Sequence, residues 1–158
     1  KILMIKINVI LNNKSWKKYI KNPEVYIKNK IKLLNKGHSF FKKKNINFSL
    51  LLSSNKEIRI INKKFRKRKK ITDVLSFPFY EKREIKKFLK KKNSFYLGDI
   101  IINLDKITNQ TNNKKNIRIE FDKLWIHGLA HLLGYRHKFN KDYTKMKKIE
   151  NFFFNLVN

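Results

Sequence analysis

His127, His131 and His137 stand in the run His127-Gly-Leu-Ala-His131-Leu-Leu-Gly134-Tyr-Arg-His137, and their spacing is that of a metal site. Residues four apart on a helix share one face a turn apart, so the imidazoles of His127 and His131 can converge on one point. Gly134 is positioned to end that helix in a left-handed conformation, after which the chain turns back and His137 supplies a third nitrogen. Three of the four histidines in the chain fall within these eleven residues, and no cysteine is present as a softer ligand. Three neutral imidazoles with one position open describe a catalytic zinc site, because structural sites close all four positions with protein ligands. One Zn²⁺ per chain is expected, while manganese, nickel and iron share the spacing.

The same spacing occurs in the H-E-x-x-H-x-x-G-x-x-H zinc proteases, but these place glutamate after the first histidine to take the proton from bound water. Here that position is Gly128. The chain therefore binds metal as a peptidase does while lacking a peptidase's base. Glu120 lies two helical turns before His127, where a surface role is expected, and Met146 is expected to pack in the core. Arg66 closes a helical stretch just before the loop Lys67 to Lys70. Its planar fork is suited to a phosphate whose charge grows in the transition state, although a surface arginine among other cations would look the same. Asp73 and Asp99 are conspicuous in a chain with only 11 acidic residues. Either can orient a ligand imidazole. Otherwise Asp73 caps backbone N–H groups and Asp99 pairs with a lysine.

The elements that must carry these residues can be read from periodicity. Met4 to Leu11 and Asn45 to Leu52 alternate as strands, and Thr72 to Phe79 and Phe95 to Asn103 are β-branched and aromatic runs. Pro23 suits the first position of a helix running to about Asn35. Ser53, Ser54 and Asn55 can cap a second helix carrying Ile58, Ile61, Asn62 and Phe65. Helices are also expected over Leu104 to Thr111, over Ile117 to Gly134 and from about Lys141 onward. The lysine-rich segment after Leu11 reads as polar, and Tyr80 to Ser94 as an exposed excursion. The fold class expected is α+β: a single-domain sandwich over 1–158, with a small mixed four-stranded sheet covered by helices and a metalloprotease-like zinc helix near the C-terminus.

The chain of 158 residues has a formal net charge of +29. A polyanion such as RNA is the functional reading of that charge. Drift in an A/T-rich genome, which favours lysine, asparagine, isoleucine and phenylalanine codons, is the other. Runs such as Lys42-Lys43-Lys44 and Lys90-Lys91-Lys92 are most simply solvated. No apolar stretch is long enough for a membrane span and Lys1 to Leu11 is too short for a signal peptide, so an intracellular, cytoplasmic protein without a membrane partner is expected.

Three blocks together resemble the YbeY endoribonucleases, or rRNA maturation factors: Asn62 through Arg66 to Thr72-Asp73-Val74-Leu75-Ser76-Phe77-Pro78; Leu97-Gly98-Asp99-Ile100; and the histidine run. The resemblance extends from about Asn55 to the C-terminus. It implies a zinc-dependent, single-strand-selective endoribonuclease acting in ribosomal RNA processing, especially 3′-end maturation of small-subunit RNA, and in ribosome quality control. Precursor ribosomal RNA and the small ribosomal subunit are the partners implied. His127, His131 and His137 match the metal positions, and Arg66 matches the family's functionally important arginine, so Arg66 and His127 are the expected catalytic residues. The chain departs from the family's G-Y-D-H at Arg136, which removes an acid beside the metal, and has Phe65 where tyrosine is common. The competing readings are a metal-dependent hydrolase of peptide-like substrates and a non-catalytic ribosome-assembly factor with a structural zinc.

Overall fold

The computed structural model describes residues 5–38, 45–91 and 94–158; Met4, Lys42 to Lys44 and Lys92 lie outside these ranges. The alternating segments become one four-stranded sheet: β1 (Ile5–Leu11), β2 (Asn45–Ser53), β3 (Val74–Pro78) and β4 (Ser94–Asn103), in the spatial order β1-β2-β4-β3. β1 and β4 both run parallel to β2, whereas β3 pairs antiparallel with β4 at the sheet edge. The sheet is thus mixed, and with its helices it makes the expected α+β fold. Among the described residues no helix is long and apolar enough to cross a membrane.

The two sheet faces are covered unequally. On one side Ile46, Phe48, Leu50 and Leu52 of β2 and Ile100 and Ile102 of β4 are fully buried beneath α1 (Pro23–Gly37), α5 (Lys114–Leu132) and α6 (Asn140–Val157). Removing each such side chain from water contributes about 1.5–3 kcal/mol, which makes this layer the main source of stability. The other face holds a smaller cluster in which Ile58 of α2 (Asn55–Arg66) meets Leu75 and Ile101. Beyond α2 that face stays open as a groove of ≈ 750 Å³.

Caps set the helix starts as the sequence indicates. Pro23 opens α1, and the Asn22 side chain accepts from Val25 N–H. At α2 the Glu57 carboxylate accepts from Ser54 N–H at 2.9 Å, the reciprocal half of a capping box. Asn113 accepts from the N–H groups of Lys115 and Asn116, so α5 begins a turn earlier than its apolar stripe predicts. The preceding α4 (Leu104–Thr108) is correspondingly short.

Two expectations need correction. Tyr80 to Ser94 is not simply an exposed excursion, since Lys82–Lys90 forms α3, with Glu84 accepting from Glu81 N–H at 2.8 Å. Ile85 is buried, and Phe88 stacks on Phe95 with centroids 5.3 Å apart. Three apolar residues at i, i+3 and i+4 suffice for one buried stripe despite the lysines around them. The segment after Leu11 likewise contains a 3₁₀ turn, Lys14–Lys18, whose Trp16 is fully buried against Phe121 and donates from Nε1 to Ser53 O at 3.1 Å.

The metal helix is anchored by a charge inside the core. Asp122 of α5 is fully buried, and its carboxylate accepts from Tyr26 Oη at 2.9 Å and Trp125 Nε1 at 3.0 Å, with Lys30 Nζ at 3.1 Å. Burial followed by the adjacent Asp122 charge raises the Tyr26 pKa, keeping its hydroxyl a donor. α5 is thereby tied to α1 and cannot rotate its histidines away without breaking these bonds.

Candidate metal centre

The end of α5 is a two-bond C-cap. Gly134 has φ +89°, its N–H donates to His131 O at 2.9 Å, and Tyr135 N–H donates to Ala130 O at 3.0 Å. This is the Schellman pattern, in which a left-handed residue lets two carbonyls at the helix end find donors. A Cβ at Gly134 would also stand 3.0 Å from Lys82 Cα. The reversal returns the chain to α5, so that the ligand atoms of His127, His131 and His137 lie within 4.8 Å of one another. Ring centroids are 4.6 Å apart for His127 and His131, 5.1 Å for His131 and His137, and 5.7 Å for His127 and His137.

Hydrogen bonds assign ring atoms to roles. His131 Nδ1 is 3.0 Å from Tyr135 O, and a carbonyl can only accept, so Nδ1 carries a proton and Nε2 keeps its lone pair. His127 Nδ1 is 2.6 Å from Glu150 Oε1 of α6. The two Nε2 atoms then face each other at 3.1 Å. Burial, and next the neighbouring His127, push the His131 pKa down to about 4, which keeps this imidazole neutral at neutral pH. Two convergent lone pairs repel unless something positive stands between them. The donor set therefore fits a borderline cation such as zinc, and His137 is exposed, which leaves one side of the cage open to solvent.

Gly128 lies under this cage for a packing reason. A Cβ there would come within 2.7 Å of Ile100 Cγ2, so a side chain at this position would point into the sheet. A glutamate base of the peptidase kind has no room here. Glu120 instead pairs with Lys123 at 2.7 Å, and Met146 is buried on α6 one turn before Glu150.

Arg66 is held at the free edge of β3. Asn103 N–H donates to Asp73 O and Phe79 N–H to Leu97 O, so odd positions of β3 bond β4 and even positions turn their peptide groups outward. Arg66 Nη2 donates at 2.8 Å to one of these outward carbonyls, Ser76 O, with its guanidinium 5.3 Å from the Phe77 ring centroid. Lys67, left-handed at φ 54°, ends α2, and Asn62 holds the following loop by donating to Lys70 O at 2.6 Å. Arg66 is thus more than a solvated loop cation: it faces the open groove beside Phe65, Ser76 and Phe77.

The two aspartates separate. β4 bulges, with Leu97 and Gly98 standing where β2 offers Phe48 alone, and Gly98 takes φ +137°. The bulge turns Asp99 into the Arg66 groove, where its carboxylate accepts from Tyr96 Oη at 2.6 Å. Asp73 lines a second cavity with His127, Lys147 and Glu150, and its own carboxylate accepts from Val74 N–H at 2.8 Å. The ring partners of His127 and His131 are Glu150 and the Tyr135 carbonyl, neither of which the sequence reading named. The available signal for Glu150 was an acid four residues after Met146, on the inward side of an amphipathic helix.

The family model of endoribonuclease YbeY matches residues 10–158. An endoribonuclease YbeY of Pelagibacter ubique is 43% identical over 159 aligned residues, covering 98% of this chain and 97% of the relative. An endoribonuclease YbeY of Ehrlichia canis is 36% identical, covering 93% of this chain and 88% of its own. The solution structure of a Thermotoga maritima protein superposes with a TM-score of 0.57 at 24% identity, covering 98% of this chain and 89% of that one, a likeness of fold.

Proposed function

We propose that this chain, which belongs to the endoribonuclease YbeY family, is a zinc-dependent endoribonuclease that cleaves single-stranded RNA during ribosomal RNA processing. The observation that carries the reading is the pair of Nε2 atoms of His127 and His131, 3.1 Å apart and facing each other while the Nδ1 atoms are engaged elsewhere. A zinc ion held by His127, His131 and His137 would supply Lewis acidity toward a phosphate oxygen and lower the pKa of water. The chain's own contribution is to hold the three imidazoles convergent and to keep His131 neutral. Arg66 binds phosphate of the same strand with the donors that its Ser76 bond leaves free, adding charge where the transition state gains it. Lysine-rich edges hold the remaining backbone, and the exposed rings of Phe65 and Phe79 offer faces for unpaired bases.

Within that reading the substrate is precursor ribosomal RNA near the 3′ end of the small-subunit RNA, met on the small ribosomal subunit in the cytoplasm, and ribosome quality control follows from the same cleavage. Arg66 and the three histidines belong to one domain over 1–158. The packed position of Gly128 disfavours peptide hydrolysis. The test is cleavage of labelled single-stranded and duplex RNA by the purified protein, after chelation and after zinc is restored. Single-strand cleavage that disappears with chelator, returns with zinc and is lost in H127A is expected. Cleavage that survives both chelation and H127A overturns the metal role, and a zinc-loaded wild type that cleaves no RNA while both it and H127A associate with ribosomes favours the assembly-factor reading.

A further inference from the structure

Glu150 is an acid that no motif in the histidine run supplies. It lies on α6, 23 positions beyond His127, with its side chain only 12% exposed. Its Oε1 is 2.6 Å from His127 Nδ1, and its Oε2 accepts from Lys147 Nζ at 3.1 Å. Lys147 itself is 53% exposed, so the carboxylate has one oxygen on the ligand ring and the other on a cation that reaches into water. The residue before His137 is Arg136, so the turn beside the third histidine carries a cation and no acid.

These observations point to one role. A neutral imidazole can donate from Nδ1 only when Nε2 is unprotonated, and Nε2 is the atom of His127 that faces His131. A carboxylate on the distal nitrogen of a ligand imidazole fixes the tautomer and ring orientation and makes the ligand more basic. Three neutral imidazoles around a dication in a chain of net charge +29 also leave positive charge uncompensated, and Glu150 adds a negative charge beside it. We propose that Glu150 is the positioning residue of the metal centre, holding His127 in its metal-binding tautomer from α6, with Lys147 fixing the carboxylate's orientation. The inference rests on the reading of the three histidines as metal ligands, and it makes α6 a working part of the site as well as a cover for the core.

The experiment uses the full chain as wild type, E150A, E150Q and K147A. Long-range ¹⁵N–¹H correlation on the metal-free proteins should place the His127 proton on Nδ1 in wild type, K147A and E150Q, and show a tautomer mixture in E150A. Zinc affinity by competition with a chromophoric chelator should fall about 10–100-fold in E150A and by less in E150Q, where an amide oxygen still accepts but carries no charge. The visible absorption of the cobalt form should change in E150A, and zinc affinity in K147A should fall between those of wild type and E150A, because the carboxylate still reaches His127 but loses the cation that fixes its second oxygen. Equal zinc affinity in wild type and E150A, or a His127 proton that stays on Nδ1 in E150A, overturns the proposal while leaving the metal centre intact. Wild type that binds neither ion overturns the metal centre itself. Should E150A fail to fold, E150Q decides: weaker zinc binding with Nδ1 still protonated supports the role, and unchanged binding rejects it.

Discussion

His131, His127 and Arg66 are each held by an atom that the spacing of the histidines does not announce. Tyr135 O holds His131, Glu150 holds His127, and Ser76 O holds Arg66. Removing Arg66 should therefore damage catalysis more than folding. R66A gives up one hydrogen bond to an edge carbonyl, worth about 1 kcal/mol, whereas losing a donor to developing transition-state charge costs about 10²–10³ in rate. Single-turnover cleavage beside a thermal melt checks this, and an equal loss in both would assign Arg66 a structural role. His131 gives a pH prediction with a definite sign. Its folded pKa lies at about 4 against 6.5 in the unfolded chain, chiefly through burial, so between these values the unfolded state binds more protons. Stability of the metal-free protein should be full above about 6.5 and fall as pH drops toward 4. Melts across that range in wild type and H131A should show the acid loss reduced in the variant. At this scale the sequence was highly legible for the ligands, because histidine is scarce here and its spacing has a helical meaning. It was poorly legible for their partners, since a carbonyl has no sequence signature and Glu150 meets His127 only through tertiary packing.

Between elements, the cage depends on how α5 ends and on what it rests against. Gly134 combines φ +89° with Lys82 Cα close behind it, and Gly128 lets α5 approach Ile100 of β4. G134A should cost about 1–2 kcal/mol for the left-handed backbone alone, before any shift of Lys82. Zinc affinity should fall further than that stability change predicts, because the cap also directs Tyr135 O to His131 and returns His137. Comparing a denaturant midpoint with a chelator competition on the same variant measures both, and affinity unchanged beside reduced stability would separate the cap from the cage. Strands and long helices were legible where periodicity was clean, as in β2 and α1. α3 was not, because its stripe of Ile85, Phe88 and Leu89 is too short to stand out among lysines and is resolved by packing on Tyr80 and Phe95. The strand order β1-β2-β4-β3 was also invisible, and with it the fact that β3 lies at an edge. That edge explains why Pro78 is tolerated at an outward position and why Arg66 has a free carbonyl to bind.

For the whole molecule, the unequal covering of the sheet divides the proposed labour. His127 lines a cavity with Asp73 at the start of β3, Arg66 lines the open groove with Ser76 to Phe79 at its other end, and the edge strand connects them. On the proposed reading, an RNA strand that engages both sites runs along β3 and meets them through its phosphates. The charge of +29 admits two origins, and salt separates them. If lysines and Arg66 contact phosphates, log K for a single-stranded RNA should fall linearly with log salt, with a slope of about −0.7 for each phosphate neutralised. R66A should then reduce the magnitude of that slope by about 0.7, as expected for removal of one phosphate contact. If the lysines instead reflect codon drift and stay in solvent, the slope will be shallow and the same in R66A and wild type. Measuring binding with a chelated, non-cleaving protein over a salt series keeps the comparison free of turnover. A steep slope in wild type with a smaller one in R66A would tie the excess charge to the groove in which Arg66 is held.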